Sequence, residues 1–396
     1  MRQQISRAVV GLVVIVGLVA GLGGASGAGA ATAAPGTRGD LVSVTDITSQ
    51  PDSRIAGAAR VLAIGYLTEN VHGDVVEATA SVSIPKRKPG PNGYRIMAFN
   101  HGTNGLGDSC AQSSQLGEGG KRDSWLGPWL TDGYVLTATD YAGLGGPGLH
   151  AYLSGRTAGK NVLDAVRATR TVVARYTDST APGAFVPFGG SQGGAASLWT
   201  GSLARSYAPE LTPAGVIAHS VPTDLDQVFS AIAPGVPPVA AGRDYPAYVS
   251  YIMAGLNEAR PDVDVPSYLT PLGRKLLREA ETACYRDFTA ATAKIPVGDL
   301  AARPFSEGPL IAALRDYTAT PTGGFTSPIL LQQGLLDTST FAPMSVGLAD
   351  QLRAGGATVD YRTYPQRGHG LSVQEAHESR AWADALPTWP AGTRPL

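Results

Sequence analysis

Cysteine is scarce in this chain, with two among 396 residues, so neither a disulfide-dense scaffold nor a multi-cysteine metal site is available to it. Charge is sparse as well. Only 16 % of residues are Asp, Glu, Lys or Arg, and the formal net charge is −1. A nucleic-acid binder needs a basic footprint that this balance does not supply. No apolar run beyond the N-terminus is long enough to span a bilayer. No Walker A string is present, and His377-Glu378 fails to open a zinc-protease motif because position 381 is alanine.

What the chain does hold is apolar bulk, 43 % of residues, together with 50 Gly and 29 Pro. That supports a large packed core and a loop-rich fold, and it excludes a disordered chain. Arg2 and Arg7 precede an apolar stretch over residues 8–22, followed by Ala28-Gly29-Ala30 and Ala31-Thr32-Ala33. A basic start, a short apolar run and an A-x-A end read as a secretory signal over 1–33, with the mature chain exported. A membrane anchor would need ~20 apolar residues. In an oxidising compartment Cys110 and Cys284 are expected to form one disulfide, worth roughly 5 kcal/mol in the chain-entropy model. The alternative is two separate buried thiols, which a thiol titration distinguishes.

After a polar lead-in over 34–52, residues 61–68 and 75–85 read as an antiparallel hairpin. Short apolar strands then alternate with helices. Strands are expected at 96–99, 134–139, 185–188, 215–218, 328–332 and 358–364, and helices at 160–176, 195–206, 343–353 and 372–385. Within the first helix Val162, Val166, Thr169, Val173 and Tyr176 share one face. The alternation predicts an α/β fold, a mostly parallel sheet with helices on both faces. Residues 222–326 interrupt it, too long for a connection, and read as a helical cap inserted into a core of 34–221 and 327–396. Helices are expected in it at 245–258 and 266–283. The apolar, Pro-rich stretch 232–241 reads either as a flap over substrate or as a packed loop.

Gly189-Gly190-Ser191-Gln192-Gly193 matches G-x-S-x-G. With glycine this common the string alone is weak, but it lies between a short strand and a small-residue helix, where such a serine is presented on a sharp turn. A serine hydroxyl needs a base, and His369 in Gly368-His369-Gly370 follows the last strand, where chain order Ser…Asp/Glu…His puts it. Asp337, after the strand at 328–332, is the expected carboxylate, with Asp224 as its rival. Developing charge on the attacked carbonyl needs backbone donors, expected from Gln192 and from Thr103, with Gly102 second. His101 is then a loop-fixing residue, His219 a structural one and His377 a surface one. Gly143 to Gly148 imitates a dinucleotide-binding pattern, but Pro147 interrupts it and no βαβ unit follows.

These motifs together resemble the secretory lipase family, the fungal lipase A type with its actinobacterial members. His101-Gly102-Thr103 followed by Cys110-Ala111-Gln112-Ser113 is similar to that family's H-G-T…C-A-P-S, with Gln112 in place of the proline. Asp140-Tyr141-Ala142-Gly143-Leu144-Gly145 with Pro147-Gly148 is similar to its D-Y-x-G-L-G-x-P-G. The resemblance implies an α/β-hydrolase with a helical cap and a disulfide, hydrolysing acyl esters through Ser191, Asp337 and His369. Its expected partners are an ester or lipid substrate and, transiently, a lipid interface. No metal or organic cofactor is required by this chemistry. Two other outcomes stay open at this point: an acyl transferase or peptidase using the same three residues, and a non-catalytic binding protein on the same scaffold.

Overall fold

The computed structural model describes residues 36–113, 123–237, 242, 244–370 and 372–395. The expected signal segment lies outside these residues, as do residues 238–241 of the stretch 232–241. Among the described residues one ten-stranded sheet forms the frame. Its strands are β1 (Leu41–Asp46), β2 (Ala58–Glu69), β3 (Val75–Pro85), β4 (Ile96–Asn100), β5 (Val135–Thr139), β6 (Ala184–Gly190), β7 (Thr212–Pro213), β8 (Val216–His219), β9 (Ile329–Gly334) and β10 (Val359–Tyr364). The order is β1-β2-β3-β5-β4-β6-β8-β9-β10, with β7 beside β6. The pairs from β5 through β10 are parallel, while β1, β2 and β3 form an antiparallel flank joined to β5.

Alternation along the strands builds two layers. Ile96 and Ala98 pack with α2 (Gly155–Tyr176) and α3 (Gln192–Tyr207) on one face. Met97 and Phe99 point the other way, onto α1 (Asp123–Thr131) and α10 (Val373–Asp384). Against β8 and β9, α9 (Ala342–Ala354) joins α3 on the first face. Helices therefore cover both faces, as the near-continuous apolar strands require.

Between β8 and β9 the chain leaves the sheet for five helices: α4 (Leu225–Ser230), α5 (Tyr245–Ala259), α6 (Pro271–Ala280), α7 (Tyr285–Thr292) and α8 (Leu310–Tyr317). They enclose a separate apolar cluster, to which the sheet side contributes Leu106, Tyr152 and Leu153. The helix expected over 266–283 is split. A 3-10 turn over Val265–Tyr268 ends before Pro271, and Thr270 caps the new helix by accepting from the Gly273 amide. In the described part of 232–237, Ile232 is buried in the cluster and Val236 lies against Gly298, which is a packed loop.

Two elements went unread in the sequence and one boundary moves. The lead-in contains β1, where only Leu41 and Val44 turn inward and leave too little pattern to read. Helix α1 contains Gly127 and Pro128, which argue against a helix, yet Leu126, Trp129 and Leu130 are fully buried on its inner side. The helix after Ser191 starts at Gln192 rather than 195. Cys110 and Cys284 are bonded, across 174 residues, which excludes two separate thiols. The bridge ties the loop after β4 to the start of α7, where the Tyr285 amide also donates to the Asn104 carbonyl.

Candidate active site

Strand order reverses around β4, whose neighbours β5 and β6 are reached by crossovers on opposite sides. Loops leaving the carboxyl ends on either side of such a point diverge and open a crevice. Ser191 follows β6, His369 follows β10, Asp337 follows β9, and His101-Gly102-Thr103 follows β4. The expected site residues are thus carried to one edge of the sheet.

Ser191 adopts φ 55°, ψ −124°, a conformation that costs a residue with a Cβ. The turn is held by what surrounds it. The Ser191 amide donates to the His219 carbonyl at 2.9 Å, and the Gly194 amide to the Ser191 carbonyl at 2.9 Å. A Cβ on Gly189 or on Gly193 would strike the Asn100 carbonyl, so both glycines are required for β6 and α3 to approach β4 so closely. Gln192 is the first residue of α3, where backbone amides have no intrahelical acceptor.

His369 Nδ1 donates to Asp337 Oδ2 at 2.9 Å. The Asp337 carboxylate is fully buried and the imidazole keeps 25 % of its side-chain surface. Asp337 Oδ1 accepts from the amides of Ser339 (2.8 Å) and Thr340 (2.9 Å), and Oδ2 also accepts from the Thr340 hydroxyl at 2.7 Å. Burial pushes this carboxyl up. The bonds from His369 and Thr340 outweigh burial and hold it well below the usual carboxylate range. The two loops are fastened together, since the Leu336 amide donates to the Arg367 carbonyl at 2.8 Å. The rival Asp224 lies elsewhere, half-buried at the start of α4. Burial and neighbouring Asp226 raise its carboxyl, and no imidazole partners it.

Ser191 and His369 line one cavity of about 240 Å³. Gly102, Thr103 and Trp125 line it too, with Tyr248 and Tyr285 from the insertion. A Cβ on Gly102 would lie 3.9 Å from that of Ser191, so this backbone runs beside the hydroxyl. On its other side Ser191 borders a second, apolar cavity of about 50 Å³, walled by Leu153, Val228, Phe229, Val249, Ile252 and Met344, among others.

His101 is buried, with Nδ1 2.7 Å from the Gly102 carbonyl and 2.9 Å from Asn104 Nδ2, the loop-fixing role expected of it. Gln112, which departs from the resembled motif, donates to Asn104 Oδ1 and so joins the same network. Asp140 accepts from the amides of Gln112 and Ser113 at 2.7 and 2.9 Å, and the Tyr141 hydroxyl donates to the His101 carbonyl at 3.1 Å. The D-Y motif is therefore scaffolding for the loop after β4. His377 is exposed.

Sequence reasoning passed over His150, Tyr152, Gln333 and Thr340, which support the site from behind. Their only sequence signal is position, Gln333 at the carboxyl end of β9 and the other three on loops that follow strands. Burial lowers the His150 imidazole from its ordinary 6.5 to about 3, helped by nearby His101, and lowers buried His219 to about 4. Both stay neutral in the folded protein while the unfolded chain takes up protons. Stability is therefore complete above about pH 6.5 and is lost as pH falls toward these values. Each histidine contributes up to about 1.4 kcal/mol per pH unit, so urea unfolding should show a loss of about 3 kcal/mol between pH 6.5 and 5. A flat profile over that interval would contradict the buried, neutral histidines.

Comparison with known proteins gives two family matches. Residues 121–298 match the secretory lipase family and residues 306–389 the prolyl oligopeptidase family. Over 162 residues the chain is 32 % identical to the secreted triacylglycerol lipase LIP4 of Malassezia furfur, covering 39 % of this chain and 27 % of that one. It is 23 % identical over 309 residues to the probable inactive lipase MT1628 of Mycobacterium tuberculosis, covering 75 % and 66 %. The chain spans about a quarter to a half of the length of the fungal lipases it matches. The crystal structure of Candida antarctica lipase A superposes with a TM-score of 0.67 at 20 % identity, over 84 % of this chain and 78 % of that one, so the two share the α/β-hydrolase fold. Among the described residues no helix is long and apolar enough to cross a membrane.

Proposed function

We propose that the chain is a member of the secretory lipase family, which the match over residues 121–298 supports, and that it is an exported serine hydrolase of carboxylic acyl esters, a lipase or esterase. The basic start and the apolar run within residues 1–33 support export. The observation that carries the catalytic reading is that Ser191, on a strained turn, and His369, bonded through Nδ1 to buried Asp337, line one cavity.

In this reading Nε2 of His369 takes the Ser191 proton as Oγ attacks the ester carbonyl. Asp337 keeps the hydrogen on Nδ1 and stabilises the imidazolium. The oxyanion is met by the amides of Gln192 and Thr103. The imidazolium then protonates the departing alkoxide, releasing the alcohol and leaving an acyl ester on Ser191. Water, deprotonated by His369, attacks that ester, and the acid leaves as Ser191 regains its proton.

Residues 222–326 act as the cap, lending Tyr248 and Tyr285 to the open cavity. The apolar cavity takes the acyl chain. It is the smaller of the two cavities, about 50 Å³ against about 240 Å³, which favours a short chain. The prolyl oligopeptidase match over the segment that carries Asp337 and His369 makes amide hydrolysis the reading to test beside it.

The test compares p-nitrophenyl esters from acetate to palmitate, emulsified triglyceride and peptide p-nitroanilides. Acetate to butyrate esters should be turned over fastest and anilides negligibly. Faster anilide than ester cleavage would make the protein a peptidase, and turnover of none would favour a non-catalytic relative.

A further inference from the structure

The loop from β5 to α2 passes behind the turn that carries Ser191. It enters at Asp140 and Tyr141, and Gly143, at φ 78°, brings it back so tightly that a Cβ there would strike the Leu149 backbone. His150 is thereby buried flat against Tyr141, ring centroids 5.6 Å apart and 10° from parallel.

Its hydrogen bonds fix its tautomer. Nδ1 lies 3.3 Å from the Ala142 carbonyl, which can only accept, so Nδ1 carries the hydrogen. Nε2 then has a lone pair, and at 2.6 Å it meets Nε2 of the buried Gln192 side chain, which donates. Burial also lowers the basicity of His150, which favours the neutral ring that carries this lone pair.

Two residues further on, the Tyr152 hydroxyl lies 2.6 Å from the Thr103 hydroxyl. Tyr152 is itself held, its ring against Tyr251 at 5.7 Å and its carbonyl accepting from the Tyr317 hydroxyl at 2.7 Å. Both of those partners belong to the helical insertion.

Gln192 opens α3 and Thr103 lies on the loop after β4, 89 positions apart, yet both side chains end on the stretch 150–152. An amide stabilises an oxyanion only when it is aimed at the place where the charge will appear. Thr103 has no helix or strand to fix it. We propose that His150 and Tyr152 are positioning residues that hold the two oxyanion donors in register from one short stretch of chain. The inference rests on the ester-hydrolase reading above. It also links the insertion to the chemistry, through Tyr317 and Tyr251 acting on Tyr152.

Tyr152→Phe removes one oxygen and keeps the ring, and His150→Phe keeps the stack on Tyr141 and loses the acceptor. Each should lower kcat about tenfold with KM within about twofold, because the donors act mainly in the transition state. Affinity for a trifluoromethyl ketone, which places an oxyanion in the hole, should fall in step with kcat. If the side chains act only through their partners, His150→Phe adds no further loss in a Gln192→Leu background, nor Tyr152→Phe in Thr103→Val.

The proposal is overturned if folded Tyr152→Phe and His150→Phe keep kcat within twofold, or if the losses multiply in those backgrounds. Should His150→Phe not fold, Tyr152→Phe decides alone. Ser191→Ala separates the two ideas. An active Ser191→Ala protein sinks the hydrolase reading, while an inactive one beside an unimpaired Tyr152→Phe sinks only the positioning role.

Discussion

Ser191→Ala should lower ester kcat by about 10⁴- to 10⁶-fold, the range over which removal of a serine nucleophile leaves only binding and oxyanion stabilisation. The reason is local. The hydroxyl is the group that the strained turn exposes to the cavity shared with His369, and without it no acyl-enzyme can form. The fold should tolerate the change. Alanine meets the same backbone cost at φ 55° as serine does, and the bonds that hold the turn are made by the Ser191 amide and carbonyl. Turnover of p-nitrophenyl butyrate and the thermal midpoint check both halves. A near-parental rate would remove Ser191 from the chemistry.

Asp337→Asn should cost about 10⁴ in kcat, because the loss is one of tautomer rather than shape. The carboxylate accepts from His369 Nδ1 and so leaves Nε2 with its lone pair. An amide NH₂ in that place donates to Nδ1 and moves the hydrogen to Nε2, the atom that must take the serine proton. Oδ1 can still accept from the amides of Ser339 and Thr340, so the loop should hold. Asp224→Asn serves as the contrast. Its side chain makes no cap bond to α4 and no imidazole contact, and kcat should stay within about twofold. The reverse pattern of losses would exchange the two carboxylates.

Much of this was legible because buried parallel strands are nearly unbroken apolar runs and because each site residue follows one of them. Ser191, Asp337 and His369 were read from a motif, from positions after predicted strands and from chain order, and the structure carries all three to the carboxyl edge of the sheet. The missed elements have physical reasons. β1 is an edge strand with two inward side chains, and α1 is buried despite Gly127 and Pro128, so tertiary packing overrode local preference. The short helices of the insertion are held by one another rather than by strong individual patterns. His150 and Tyr152 were illegible for another reason. Their partners lie 42 and 49 positions away, and no spacing rule joins a loop behind a turn to the amides in front of it.

The most direct test is to treat the protein with a fluorophosphonate, digest it and locate the adduct by mass. A nucleophilic serine predicts one phosphonyl group on the peptide containing Ser191, absent from Ser191→Ala and formed far more slowly in Asp337→Asn. An adduct on any other residue, or one that persists in Ser191→Ala, would contradict it.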